Sequence, residues 1–109
     1  MNPVYIHLLH MRDILQEMRL SMHDDLTVAK NKRNIERCLE VLGEAARRIP
    51  VEIHARHPEI PWKQIIGTRN VITHDYEKIS PAKLREIVQD NAVLLIPLIE
   101  TLMTMYREE

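Results

Sequence analysis

Glycine and aromatic residues are scarce in this chain of 109 residues. It contains two glycines, no phenylalanine and 4% aromatic residues. β-Sandwiches and barrels need many tight turns, and their strands are enriched in aromatic residues. Hydrophobic residues nevertheless make up 45% of the chain, which excludes a disordered segment. The composition therefore predicts an all-α protein, and the length predicts one domain over residues 1–109.

Cysteine, net charge and long apolar runs are also nearly absent. The single cysteine, Cys38, cannot form an internal disulfide, and we expect it to lie unreactive on a helix in a reducing compartment. No apolar run approaches the ~20 residues of a membrane span, and the N-terminus lacks a signal-peptide pattern. The net charge of −1 gives no overall attraction for nucleic acid. These absences predict a cytoplasmic protein without membrane attachment.

Hydrophobic residues at helical spacing predict four long helices and one short one. Pro50 ends the second helix, whereas Ser80 and Pro81 suit the start of the last one as N-cap and first residue. The predicted helices cover, in order, residues 4–22, 27–49 and 51–56, a segment from Pro61 to the motif at 69–76, and residues 81–106. This order predicts a four- to five-helix up-down bundle.

The last predicted helix contains the segment Ala92–Ile99, AVLLIPLI, which is apolar on every face. A helix of this kind must be covered on several sides. Either it forms the centre of the bundle or a second copy of the chain covers it, and we expect a homodimer. Pro97 lacks a backbone N–H and predicts a kink near Val93.

The segment 69–76, RNVITHDY, ends the third long helix. At about 100° per residue, Arg69 falls on the apolar stripe of Trp62 and Ile65, where an unpaired guanidinium is costly. Asn70 and His74 are four residues apart and therefore lie on adjacent turns of one face.

Two interpretations of Arg69 remain open at this point. In the first it has a structural role and pairs with an acidic row of one-turn spacing on the second helix: Glu36, Glu40 and Glu44. In the second the segment is catalytic, because a histidine near its ordinary pKa of about 6.5 can act as acid or base and a guanidinium binds phosphate.

Two other histidine pairs, His7/His10 and His54/His57, have spacing compatible with a metal site. No cysteine or convergent set of carboxylates accompanies either pair, so surface histidines are favoured. We predict no metal and no cofactor.

Arg69, His74 and Tyr76 follow the pattern arginine, four residues, histidine, any residue, tyrosine. The chain thereby resembles the HepT family of the HEPN superfamily, which are small helical ribonuclease domains. The resemblance extends, in order and spacing, to LGEAA at 42–46, HPEIPW at 57–62, Arg69-Asn70 and Ile79-Ser80. It covers most of the chain and is weakest over the first 25 residues.

The resemblance implies a HEPN-like bundle that dimerises, brings two motifs into one cleft and cuts RNA without a metal. Arg69 and His74 are then catalytic, with Asn70 and Tyr76 in supporting roles. It also implies a toxin whose partner, a minimal nucleotidyltransferase antitoxin, transfers AMP to Tyr76. Two alternatives remain: a non-catalytic helical module that docks on a nucleotidyltransferase, and a dimeric interaction bundle with a structural arginine.

Overall fold

The fold is all-α over the residues described by the computed structural model. These are residues 2–75 and 79–107, with side chains described for all of them except 69–75. The helices are α1 (Pro3–Leu20), α2 (Ala29–Arg48), α3 (Val51–Arg56), α4 (Trp62–Asp75) and α5 (Pro81–Tyr106), and a 3₁₀ turn at Ser21–His23 follows α1. The four long helices and the short one therefore confirm the predicted architecture.

Side-chain caps set the starts of α1 and α5. Asn2 Oδ1 accepts a hydrogen bond from the backbone N–H of Val4 at 2.9 Å, and Ser80 Oγ accepts one from the N–H of Lys83 at 3.1 Å. Each cap satisfies an N–H group that has no partner inside its own helix. The predicted Ser80-Pro81 helix start is confirmed.

The start of α2 differs from the prediction. Asp25 Oδ1 accepts hydrogen bonds from both the N–H and the hydroxyl of Thr27, which closes a turn where a helix was expected. Val28 is the extended N-cap residue and is 46% exposed. In the sequence, Val28, Ile35 and Leu42 are spaced at sevens, which predicts one apolar stripe on this helix. Ile35 and Leu42 are buried as predicted, whereas the prediction for Val28 was wrong.

The long helices run up and down in the neighbour order α5–α1–α2–α4. Asn34, in the first half of α2, donates to Ser21 Oγ just after α1, and Arg48 at the end of α2 lies beside His7 near the start of α1, so these helices are antiparallel. Arg85, early in α5, donates to the carbonyl oxygens of Met22 and Asp24 just after α1, so α5 is also antiparallel to α1. The predicted up-down topology is confirmed.

One core joins all the helices. Apolar residues of the first helix, spaced alternately by four and three from Val4 to Met22, predict one buried stripe. Four of its six members, Leu8, Met11, Leu15 and Met18, are fully buried in this core, and Val4 and Met22 are partly buried at the ends of the stripe. Large core side chains include Leu8, Met11, Leu15, Met18, Ile35, Leu39, Leu42, Ile65, Leu84 and Ile99.

Helix α5 is only partly covered by this core. Ala92, Leu95 and Ile96 are buried, whereas Val93 is 46% and Leu94 is 62% exposed. Of the helices in the described ranges, α5 alone is long and apolar enough to cross a membrane, and 39% of its apolar window is buried. A core helix of a soluble bundle has the same properties, so its length and composition are weak evidence for a membrane span.

Candidate functional site

Residues 69–75 of the motif lie on one helix. Helix α4 extends to Asp75, so the positions of Arg69, Asn70 and His74 are all helical, as predicted. Arg69 and His74 are five residues apart, which separates their positions by about 7.5 Å along the axis and about 140° around it. The side chains of these three residues, and Tyr76 altogether, lie outside the described residues.

Stacked rings fix the beginning of α4 against the end of α2. The His54 and Trp62 rings are parallel within 12°, with centroids 4.3 Å apart. His54 Nε2 lies 2.9 Å from the carbonyl oxygen of Ala46. Because a carbonyl only accepts, this nitrogen carries the proton and donates. Trp62 Nε1 donates in turn to the carbonyl of His57 at 3.0 Å, so α4 starts at a fixed level beside Ala46.

A second cluster holds the segment before α4 to the end of α5. His57 Nε2 and the Tyr106 hydroxyl are 2.8 Å apart, and His57 Nδ1 is 3.3 Å from Glu59 Oε1. A carboxylate only accepts, so a neutral ring with its proton on Nδ1 leaves Nε2 to accept from the tyrosine hydroxyl. We name these three residues the His57 clamp.

The histidines at 54 and 57 are therefore not surface histidines, and that prediction was wrong. Both rings are half-buried and are held by groups of other helices, Ala46 on α2 and Tyr106 on α5. Spacing cannot reveal this role, because the partners belong to other helices.

The three glutamates of the acidic row on α2 differ in their contacts. Glu44 binds Arg47 through two hydrogen bonds of 3.1 and 2.6 Å and lies 3.4 Å from Arg48 Nε. Glu40 is exposed. Glu36 is half-buried, and its Oε1 has no hydrogen-bond partner among the described residues. Burial is the main reason that the pKa of Glu36 is raised, and Glu40 also raises it, against the opposing charges of Lys32 and Arg33.

An open groove of about 580 Å³ separates α4 from α5. Its apolar wall includes the half-exposed part of α5 around Leu94. Polar side chains are interspersed, among them Gln64 and Thr68 on α4. These two residues lie within the five positions that precede Arg69 on the same helix, so the groove adjoins the motif.

The other residues considered as candidate metal-binding or reactive sites, the His7/His10 pair and Cys38, have less support from the structure. His7 and His10 lie beside Arg48 at a small cavity of about 270 Å³ between α1 and α2. His7 is half-buried and His10 is exposed. Within the described ranges, no group of three histidine, cysteine or carboxylate side chains has the geometry to hold a metal ion. Cys38 is buried, and burial raises the pKa of its thiol to about 11, which confirms the expected unreactive cysteine.

Comparison with known proteins identifies one family and several similar ribonucleases. A family model described as ribonuclease HepT-like matches residues 8–102. A Thermococcus cleftensis protein named "Probable ribonuclease HepT" is 31% identical over 72 residues, which is 66% of each chain. A Methanocaldococcus jannaschii protein named "Putative RNase MJ0127" is 30% identical over 93 residues, covering 78% of this chain and 74% of the relative.

Other relatives match over shorter stretches. The protein named "Putative RNase MJ1216" from the same archaeon is 44% identical over 45 residues, which is 41% of this chain and 37% of that relative. The chain thus spans about half or less of several curated relatives that it matches. No solved structure was found that matches it.

Proposed function

The chain belongs to the HepT-like ribonuclease family, and on that basis we propose that it is an RNA endonuclease with Arg69 and His74 as its catalytic residues. The observation that carries the proposal is the family match over residues 8–102. It is supported by the motif positions, which share one continuous helix with the groove residues Gln64 and Thr68.

The reaction uses the RNA's own 2′-hydroxyl as nucleophile. A base removes its proton, the 2′-oxygen attacks the neighbouring phosphorus, and the bond to the 5′-oxygen breaks as an acid protonates the leaving oxygen. The products are a 2′,3′-cyclic phosphate and a 5′-hydroxyl. The Arg69 guanidinium neutralises the charge that grows on the phosphate oxygens. No metal is needed for these steps, and DNA is not a substrate because it lacks the nucleophile.

The acid and the base come from two copies of the chain. One motif supplies one histidine, whereas a two-fold dimer supplies His74 twice in one cleft. The apolar residues that the described chain leaves exposed on α5, Val93 at 46% and Leu94 at 62%, support a homodimer, since a second copy would remove them from water. Asn70 and Tyr76 bind and orient the phosphate and the histidine.

The chain acts as a soluble cytoplasmic toxin of a toxin–antitoxin pair. Its partner is a minimal nucleotidyltransferase antitoxin that transfers AMP from ATP to the Tyr76 hydroxyl, with release of pyrophosphate. A bulky anionic nucleotide next to Arg69 occupies the phosphate site and repels RNA. This regulation follows from the resemblance of the motif to the HepT pattern. It predicts a mass gain of one or more AMP units, mapped to Tyr76, after co-expression with the nucleotidyltransferase.

The decisive variant is His74→Ala. We expect it to abolish cleavage of a 5′-labelled RNA in buffer containing EDTA, while a DNA of the same sequence stays intact with either protein. Helicity and native mass should be unchanged, because the substitution removes a proton-transfer group and no described core contact. His10→Ala, which removes an exposed histidine on α1, is the matched control and should cut like the wild type.

Cleavage by His74→Ala at the wild-type rate contradicts the assignment of the catalytic residue. A wild-type chain that binds a nucleotidyltransferase but never cuts RNA would instead identify a non-catalytic docking module. A strictly monomeric wild type that still cuts RNA would refute the composite site.

A further inference from the structure

We propose that His7 and Arg48 together bind the oxygens of a phosphate group in the cavity between α1 and α2. This cavity has a volume of about 270 Å³ and lies between the first half of α1 and the last turns of α2. Pockets for drug-sized ligands have volumes of roughly 300–1,000 Å³, so this one is suited to a single phosphate group rather than to a whole nucleotide. The site contains no residue of the segment 69–76 and is independent of the proposed catalytic residues.

The His7 ring directs one N–H group into this cavity. Its Nδ1 atom is buried and has no hydrogen-bond partner among the described residues, although the residue as a whole is only half-buried and lines the cavity. A proton on Nδ1 would be a buried donor without an acceptor, which is costly. The neutral ring therefore carries its proton on Nε2, the nitrogen that is left to face the cavity. The neighbouring His10 is exposed at the rim, with its ring centroid 6.5 Å from that of His7.

Arg48 adds a guanidinium whose terminal N–H groups form no hydrogen bond with a described residue. The side chain is 59% exposed, and its Nε lies 3.4 Å from Glu44 Oε1. Arg47 binds both oxygens of Glu44, at 3.1 and 2.6 Å, so Arg47 already neutralises the carboxylate that lines the cavity. The amino groups of Arg48 are left to bind phosphate oxygens through two parallel hydrogen bonds.

The charges around the cavity favour an anion. Two arginine charges, on Arg47 and Arg48, face one carboxylate charge on Glu44, so the surroundings are positive even when His7 is neutral. Burial lowers the pKa of His7, and the neighbouring Arg48 and His10 lower it further. A bound phosphate would oppose the effect of both neighbours, since an anion stabilises the protonated ring.

NMR titration of the histidine Cε1–H signals with inorganic phosphate tests this site. Sodium chloride keeps the ionic strength constant, and the His7 signal is identified by its loss in His7→Gln. We expect the His7 signal to move along a saturating curve, while the signal of His23, which is exposed in the 3₁₀ turn, stays in place. In saturating phosphate the pKa of His7 should rise by about one unit relative to chloride. A His7 shift that never saturates, or an equal shift of His23, overturns the proposal.

Arg48→Gln separates specific binding from general screening by salt. It should weaken phosphate binding at least about tenfold, because a charge-assisted pair of hydrogen bonds is lost, and leave helicity unchanged, because the side chain is exposed. Arg48→Lys keeps the charge without the paired N–H groups and should give an intermediate affinity. Arg56→Gln removes the same charge from an exposed arginine at the end of α3, outside the cavity, and should bind phosphate like the wild type. Equal affinities for wild type and Arg48→Gln overturn the proposal.

Two sources can supply the phosphate oxygens: a free or terminal phosphate, and the backbone of an RNA. The second probe is a short RNA with 2′-O-methyl groups and no terminal phosphate, which cannot be cut because it lacks the nucleophile. A saturating His7 shift with this RNA that disappears in Arg48→Gln identifies a site for backbone phosphates. A shift with inorganic phosphate alone identifies a site for free or terminal phosphate, and no shift with either probe overturns the proposal.

Discussion

The His57 clamp provides the sharpest test of how the fold holds the motif helix in place. Tyr106 is 7% exposed and the His57 side chain is 12% exposed, so water has little access to replace their hydrogen bond. Tyr106→Phe removes the hydroxyl that lies 2.8 Å from His57 Nε2 and keeps the ring. The perturbation is therefore one buried hydrogen bond with almost no change in packing.

The expected loss can be estimated from the group left behind. A buried nitrogen without its partner costs about 1–3 kcal/mol of unfolding free energy. For 109 residues, an unfolding entropy of about 2.1 cal/mol/K per residue gives roughly 0.23 kcal/mol/K at the melting temperature. Tyr106→Phe should therefore lower Tm by about 4–13 °C.

Thermal and urea unfolding, both followed by circular dichroism, measure this loss. The matched control is Tyr5→Phe, because Tyr5 is half-buried and its hydroxyl has no hydrogen bond to a described residue. That control should change Tm by less than about 2 °C. Equal melting temperatures for wild type and Tyr106→Phe would show that the clamp contributes nothing to stability, and the reasoning from its burial would be wrong.

Two further predictions concern perturbed side chains away from the motif. Burial raises the pKa of the Cys38 thiol to about 11, so only about one molecule in a thousand is a thiolate at pH 8. A thiol reagent should therefore modify Cys38 no faster than the protein unfolds. Rapid modification of the native protein would contradict this prediction. Burial, Arg48 and His10 lower the pKa of His7 from 6.5, so the unfolded chain binds this proton more tightly and the unfolding free energy should decrease as pH falls below 6.5. His7→Gln should weaken that dependence in urea titrations at pH 7.5 and 5.5, and an unchanged slope would refute the assignment.

The helical architecture could be predicted because hydrophobic periodicity and the residues that begin or end a helix act locally. Ser80 and Pro81 mark the start of α5 through their own backbone chemistry. The apolar stripe of α1 faces the core because its spacing matches the helical repeat. The same reasoning failed at Val28, where the spacing of seven continued by coincidence into a turn closed by Asp25.

The roles of the half-buried polar side chains could not be predicted, because they depend on contacts with other helices. His54 meets the Ala46 carbonyl, and His57 meets a hydroxyl 49 residues away. Spacing made Glu36, Glu40 and Glu44 equivalent, whereas packing against neighbouring helices makes them different. Within the motif, the helical placement of Arg69, Asn70 and His74 is confirmed, and their catalytic roles stay predictions.

Both ends of helix α5 make hydrogen bonds to other segments of the bundle. Arg85 near its start holds the loop after α1, and Tyr106 near its finish holds the connection into α4. A chain cut just before Tyr106 would keep every motif residue yet lose the hydrogen bond that holds the segment before α4 to α5. The last turn of α5 thus helps to position the helix that carries the motif, although the two are about thirty residues apart in the sequence. A tag or truncation at Tyr106 would therefore disturb the motif indirectly.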